Sequence, residues 1–191
     1  MMKRLLELIL CLLLIPLEAS ALPMDFESLS DSTPVSNQLS AQGVTFGNTI
    51  ALTSGFSLNE FNFPPHSGSV VIGDDGNGPL EIFFSGPANG ISAWFTFGSG
   101  LTMTAFDSFG GQQGSLTTGV LSNLGSSMLI DMNFQNVYRL EIAGGVPSTF
   151  VLDDLSFTIA NSVPEPTTLA LLAIGLIGMA ARRAKSIKSL V

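Results

Sequence analysis

Short apolar runs separated by turn residues fill the middle of the chain and most constrain its fold. From Ala41 to Ile159, clusters of Gly, Asn, Ser and Pro interrupt the runs, and within the runs apolar and polar residues alternate. A period of two is the period of a strand, and no helical period is visible. We therefore expect an all-β fold, an antiparallel two-sheet sandwich of the jelly-roll type. The predicted strands cover residues 43–46, 69–72, 80–84, 91–97, 101–106, 128–133, 138–142 and 149–159.

The charges of this predicted sandwich are almost all negative. Between residues 22 and 160, twelve Asp and Glu residues stand against a single cation, Arg139, which gives a formal net charge of −11. Such a surface repels phosphate backbones, so nucleic acid is excluded as a partner. Divalent cations and uncharged polymers remain compatible with it.

The N-terminus has the three parts of an export signal. Met1 to Arg4 is basic, residues 5–17 are mostly apolar, and Ala19 to Ala21 supplies small residues for signal peptidase. We expect a signal peptide at 1–21 that is removed after Ala21; the alternative is a permanent N-terminal anchor. The only cysteine, Cys11, lies inside this segment. The processed chain would thus lack disulfides and thiolate sites.

The C-terminus combines two prolines, an apolar run and a basic cluster. Pro164 and Pro166 favour an extended, exposed backbone. Residues 167–181 are apolar on every side of a helix, which predicts a transmembrane helix with the acidic body outside the membrane. The alternative is a buried helix of a soluble domain. The residues expected to stop transfer at the cytoplasmic end are Arg182, Arg183 and Lys185.

This arrangement resembles the PEP-CTERM sorting signal of exported bacterial proteins. The resemblance lies in Val163, Pro164, Glu165 and Pro166, followed by the apolar run and the basic terminus. It implies that an exosortase processes the chain, after a period of tethering at the inner membrane, for release into the envelope or a biofilm matrix. The predicted organisation is then a signal peptide at 1–21, a sandwich domain at 22–160 and a sorting signal at 161–191.

Two acidic clusters lie at opposite ends of the predicted sandwich. Strict alternation in the last strand puts Asp153 on the same face as Leu155, where an unpaired carboxylate is costly. The first and last strands of a jelly roll commonly lie close together, so Asp25 or Glu27 would meet Asp153 or Asp154. Oxygen ligands of this kind suit Ca²⁺, which is available outside the cell.

The sequences around these acids resemble galactose-binding-like jelly rolls and related carbohydrate-binding modules. The resemblance is carried by residues 25–27 at the start and 150–157 at the end. It implies a structural calcium ion held by Asp25, Glu27, Asp153 and Asp154. The alternative is that Asp153 accepts backbone N–H bonds while the other acids are solvated.

One aromatic residue is a candidate for ligand binding. Trp94 shares the polar face of its predicted strand with Ser92 and Thr96. An indole on such a face can stack against a pyranose ring, which makes an extracellular polysaccharide a candidate partner. The alternative is ordinary packing between sheets.

Residues for catalysis are scarce. His66 is the only histidine and lies in a predicted loop with no nucleophile elbow nearby. Arg139 and Glu141 share a strand face and form a candidate ion pair. We expect a non-catalytic binding or structural module. The alternative is a secreted glycan-active hydrolase with a carboxylate pair on the concave face of the sandwich.

Overall fold

The computed structural model describes residues 23–119, 122–146 and 148–160. A 3-10 helix at Ser40–Gln42 precedes the strands. In chain order the strands are β1 (Val44–Gly47), β2 (Thr49–Thr53), β3 (Val70–Asp74), β4 (Leu80–Phe97), β5 (Leu101–Phe106), β6 (Gln112–Thr117), β7 (Met128–Asp131), β8 (Val137–Gly144) and β9 (Phe150–Ile159).

The long strand β4, with 18 residues, organises the sheet because it pairs with four other strands. Its first half pairs with β1 and β8, and its second half pairs with β7 and β9. The strand order is β2-β3-β9-β4-β8-β5-β6, with β1 and β7 added at β4, and every pair is antiparallel. Two arrays of five strands therefore share β4. The first array is β1-β4-β8-β5-β6, and the second is β2-β3-β9-β4-β7.

The main hydrophobic core draws on both arrays. Ile82 and Leu140 contribute from the first array, and Phe95 and Leu152 from the second, and all four side chains are fully buried. The N-terminal segment closes this core, since Phe26 is also fully buried and Met24 pairs with Leu155 of β9. A smaller cluster, built from Leu58, Val71 and Val151, lies under the connection between β2 and β3.

A β-bulge changes the phase of β9 in its middle. Ser92 pairs with Ser156 but Trp94 pairs with Asp153, so Asp154 and Leu155 together oppose one residue of β4. Asp154 has a positive φ of 46°, a conformation that aspartate tolerates better than most residues. Because of the bulge, Asp153 does not share a face with Leu155, and the strict alternation predicted from the sequence is wrong at this point.

The prediction of an all-β antiparallel fold is confirmed. The prediction of a sandwich of two separate sheets is not confirmed. The strands form a single hydrogen-bonded sheet, because residues 80–84 and 91–97, expected as two strands, belong to one continuous β4. The strands β2 and β6 were not predicted from the sequence. Within the described ranges, no helix is both long and apolar enough to cross a membrane. The predicted signal peptide and the predicted helix at 167–181 lie outside those ranges.

Candidate functional site

Three of the four carboxylates that the sequence assigned to calcium hold the end of the connection between β2 and β3, residues 54–69. We call Glu27, Asp153 and Asp154 the carboxylate cluster. Asp153 Oδ2 accepts the backbone N–H groups of His66 at 2.8 Å and Ser67 at 2.9 Å. Its Oδ1 accepts the N–H of Asp154 at 2.8 Å. Asp153 is buried, and its burial raises the pKa of the carboxyl group above the ordinary value, with the charge of Asp154 acting in the same direction.

Glu27 holds the last residue of the same connection and the first residue of β3. Its Oε1 accepts the N–H groups of Ser69 and Val70, both at 2.8 Å, and its Oε2 accepts the hydroxyl of Ser69 at 3.1 Å. The loss of some surrounding water opposes ionisation, but the bonds from Val70 and Ser69 outweigh it, so the pKa of Glu27 lies below its ordinary value of 4.5. The carboxylate cluster therefore binds backbone from residue 66 to residue 70.

His66 and Trp94 complete this contact between the connection and the sheet. The imidazole lies parallel to the indole, with ring centroids 3.6 Å apart and an interplanar angle of 8°. His66 Nδ1 lies 2.7 Å from Asp154 Oδ2, and the Ser67 hydroxyl donates to Asp154 Oδ1 at 3.0 Å. Beside them the hydroxyl of Thr96 donates to the carbonyl of Pro64. One face of the Trp94 indole is thus covered by His66.

The structure brings together part of the predicted calcium site. Glu27 lies close enough to Asp154 for their charges to interact, whereas Asp25 is exposed. Among the residues described, no group of three or more His, Cys, Asp or Glu side chains is placed to hold a metal ion. The oxygens of Glu27 and Asp153 are bound to N–H and O–H donors. Calcium binding stays a prediction. In this arrangement the carboxylate oxygens that would bind the ion already accept hydrogen bonds.

A second polar cluster, which the sequence indicated only in part, lies on the outer face of the first array. We call Glu81, Phe83, Phe106, Arg139 and Glu141 the Arg139 face. Phe83, Arg139 and Phe106 pair in one row across β4, β8 and β5, and Glu81 and Glu141 pair in the adjacent row. Arg139 Nη1 donates to Glu81 at 2.9 Å and also to Glu141, and the guanidinium carbon lies 3.9 Å from the centre of the Phe106 ring.

Sequence reasoning found the Arg139–Glu141 pair, but it missed Glu81, Phe83 and Phe106. The alternation of β4 and β5 places these three residues on outward faces, which is a readable signal. Their convergence on Arg139 depends on which strands pair and in which register, and neither follows from one sequence.

Comparison with solved structures supports the architecture. A DUF4465 family protein from Bacteroides caccae has a TM-score of 0.51 and 15% identity over 73% of this chain and 99% of that chain. At this identity the likeness concerns the fold alone. TmCBM61, solved in complex with β-1,4-galactotriose, has a TM-score of 0.39 and 12% identity over 73% of this chain and 99% of that chain, which is too distant to support an argument. No curated protein sequence matches this one.

Comparison with protein-family models identifies the C-terminus. Residues 162–184 match the PEP-CTERM protein-sorting motif. The match contains Val163, Pro164, Glu165 and Pro166 and the two arginines at 182 and 183. These residues lie outside the described part of the structure, so the assignment depends on sequence alone. The chain carries a PEP-CTERM protein-sorting motif, which is the signature of an exported protein that an exosortase processes.

Proposed function

We propose that this chain is an exported, non-catalytic binding or structural module with affinity for polysaccharide, delivered to the cell envelope or extracellular matrix. In this proposal signal peptidase removes residues 1–21, the helix at 167–181 holds the body at the inner membrane, and Arg182, Arg183 and Lys185 stop transfer. Exosortase then acts at Val163–Pro166. The body faces the exterior throughout.

The observation that carries the proposal is the position of the motif relative to the last strand. β9 ends at Ile159, and the matched motif begins at residue 162. Processing within the motif would therefore leave all nine described strands intact. A sorting signal that can be removed without unpairing a strand suits a body that must stay folded after release.

The surroundings of His66 favour a non-catalytic body. In a hydrolytic triad the serine hydroxyl bonds the imidazole that activates it. Here the hydroxyl of Ser67 donates to Asp154 instead, and the imidazole stacks on Trp94. We interpret this arrangement as a packing contact that holds residues 54–69 on the sheet.

The second candidate function is a glycan-active hydrolase. It is favoured by Glu81 and Glu141, which pair on neighbouring strands and share one guanidinium nitrogen of Arg139. A carboxylate pair is the usual catalytic apparatus of such enzymes. Incubation with polysaccharides would test it: turnover that Glu81→Gln or Glu141→Gln abolishes would establish the enzyme and contradict the binding module.

The sorting part of the proposal is tested by changing the motif in the full chain. We expect replacement of Pro164, Glu165 and Pro166 by alanine to leave an unprocessed chain in the membrane fraction of a host that has an exosortase. The wild-type chain should be shortened and released, and Lys188→Gln, outside the matched residues, should behave like wild type. Recovery of the wild-type chain from the cytosol with both ends intact would contradict the proposal.

A further inference from the structure

The Arg139 face combines the groups that bind a sugar ring on one side of the sheet. Phe83 is 37% exposed, beside a guanidinium whose direction is set by two carboxylates and the Phe106 ring. Their chain neighbours Ile82 and Leu140 are fully buried in the core, which establishes that the face is the outward one. An apolar ring surface therefore lies next to fixed hydrogen-bond donors and acceptors.

Hydroxyl groups extend this surface along β5 and β6. Thr104 pairs with Glu141 on one side and with Ser115 on the other, and the two hydroxyls lie 3.5 Å apart. One row further along the same face, the hydroxyl oxygens of Thr102 and Thr117 lie 3.4 Å apart. The row from β1 through β4, β8 and β5 to β6 crosses five strands, a span of roughly 19 Å at a spacing of about 4.8 Å. Such a surface is long enough for an extended chain of several rings.

The charges of the face indicate what can bind to it. Arg139 is the only lysine or arginine between Arg4 and Arg182, and its two glutamate partners leave the face with a formal charge of −1. The body as a whole, this face included, carries −11, which repels anionic polymers. A neutral chain rich in hydroxyl groups avoids that repulsion. Its C–H surfaces can pack on Phe83, and its hydroxyls can pair with carboxylate and guanidinium groups.

We propose that the Arg139 face is the binding surface for a neutral polysaccharide laid across β4, β8, β5 and β6. This inference rests on the proposed binding function and places its ligand on a different surface from Trp94. The imidazole of His66 covers one face of that indole, whereas Phe83 is more than a third exposed. The glutamates position the guanidinium, and Phe83 supplies the stacking surface.

The test measures binding of the full-length chain, purified in detergent, to soluble galactan, xylan, mannan and β-glucan, with alginate as the acidic probe. We expect at least one neutral polymer to bind and alginate not to bind. Phe83→Ala and Arg139→Gln should each weaken that binding about tenfold or more. Arg139→Lys, which keeps the charge but loses the planar fork, should weaken it too.

Matched controls separate the face from other surfaces. Phe109→Ala removes the same ring from the tip of the β5–β6 turn, where the side chain is 95% exposed, and should leave the affinity within about twofold. Trp94→Phe should likewise leave the affinity for the polymer within about twofold of wild type. The inference is overturned if Phe83→Ala and Arg139→Gln bind like wild type while still folded, if Trp94→Phe is the variant that loses binding, or if only alginate binds.

Two further outcomes distinguish this inference from the proposed function. A chain that is sorted and released but binds none of the polymers overturns the inference and leaves delivery of a structural module standing. Binding that Phe83→Ala abolishes in a chain that is never sorted supports the inference and contradicts the sorting.

A wild-type dimer that Phe83→Ala converts to a monomer would assign the face to a second copy of the chain and overturn the inference.

Discussion

The imidazole of His66 lies flat against the indole of Trp94, 3.6 Å from centroid to centroid. These are the only histidine and the only tryptophan of the chain. One belongs to the connection between β2 and β3 and the other to β4, so the stack joins a loop to the sheet. Tryptophan emission therefore reports directly on whether the loop is in place.

Removing the imidazole should expose the indole and weaken the fold. For His66→Ala we expect red-shifted tryptophan emission and a free energy of unfolding lower by about 1–2 kcal/mol, from the lost stacking and the lost bond to Asp154. His66→Phe keeps a ring on the indole, so its emission should stay near that of wild type. Emission of His66→Ala identical to wild type would contradict the stack.

The buried carboxylate of Asp153 should be more important for stability than the exposed one of Asp25. Asp153 accepts three backbone N–H groups, and asparagine offers one acceptor oxygen in place of two. Urea unfolding should give Asp153→Asn a free energy of unfolding lower by about 1–3 kcal/mol. The matched change Asp25→Asn should stay within about 0.5 kcal/mol. Equal effects at the two positions would refute this role for Asp153.

Thermal unfolding with a chelator distinguishes calcium binding from hydrogen bonding in the carboxylate cluster. The sequence-based calcium hypothesis predicts a lower melting temperature for wild type in the presence of chelator and no such shift for Asp153→Asn. The geometry predicts no chelator effect for either chain, because the oxygens of Asp153 and Glu27 already accept N–H bonds. A chelator shift confined to wild type would support calcium.

The effect of Glu27 on stability should depend on pH. Its pKa in the folded protein lies below 4.5, so its contribution is present above about pH 4.5 and is lost as the pH falls through the folded-state pKa. Glu27→Gln should therefore be destabilising at about pH 6, by less than about 1 kcal/mol because the side chain is exposed, and the difference from wild type should shrink at about pH 3. The contribution of Asp153 to stability changes with pH in the opposite direction. Its pKa is raised in the folded protein, so its ionisation lowers the free energy of unfolding as the pH rises.

The control for Glu27 is an exposed glutamate of the connection, Glu60. Glu60→Gln should change the free energy of unfolding by less than about 0.5 kcal/mol at either pH. The result that would contradict this prediction is a difference in free energy of unfolding between wild type and Glu27→Gln that grows toward acid pH. It would mean that the hydrogen bonds do not favour the ionised carboxylate.

The ion pairs of the Arg139 face should add little to stability. Glu81 and Arg139 are each about one quarter exposed, and pairs of this kind contribute about 0–1 kcal/mol. Chemical denaturation of Glu81→Gln should therefore give a free energy of unfolding within about 1 kcal/mol of wild type. A loss of several kcal/mol would mean that the cluster serves the fold and would remove a reason to assign it to a ligand.

Much of the architecture could be predicted because it depends on local pattern. Alternation in residues 91–97 put Trp94 on one face of its strand, and the structure places Ala93, Phe95 and Phe97 of the opposite face in the core. β6 was missed because it lies at the edge of the sheet and its residues are mostly exposed and polar, which hides the strand period. Alternation also failed at Asp154, because a single extra residue reverses the faces of everything that follows.

By itself the sequence determined the all-β class, the acidic character of the body and the sorting motif, because each is a property of neighbouring residues or of total composition. The tertiary structure decided which side chains meet. Glu81 and Arg139 are 58 residues apart, and His66 and Asp153 are 87 apart. Contacts over such separations depend on strand order, register and one bulge, and these are set by the packing of the whole sheet.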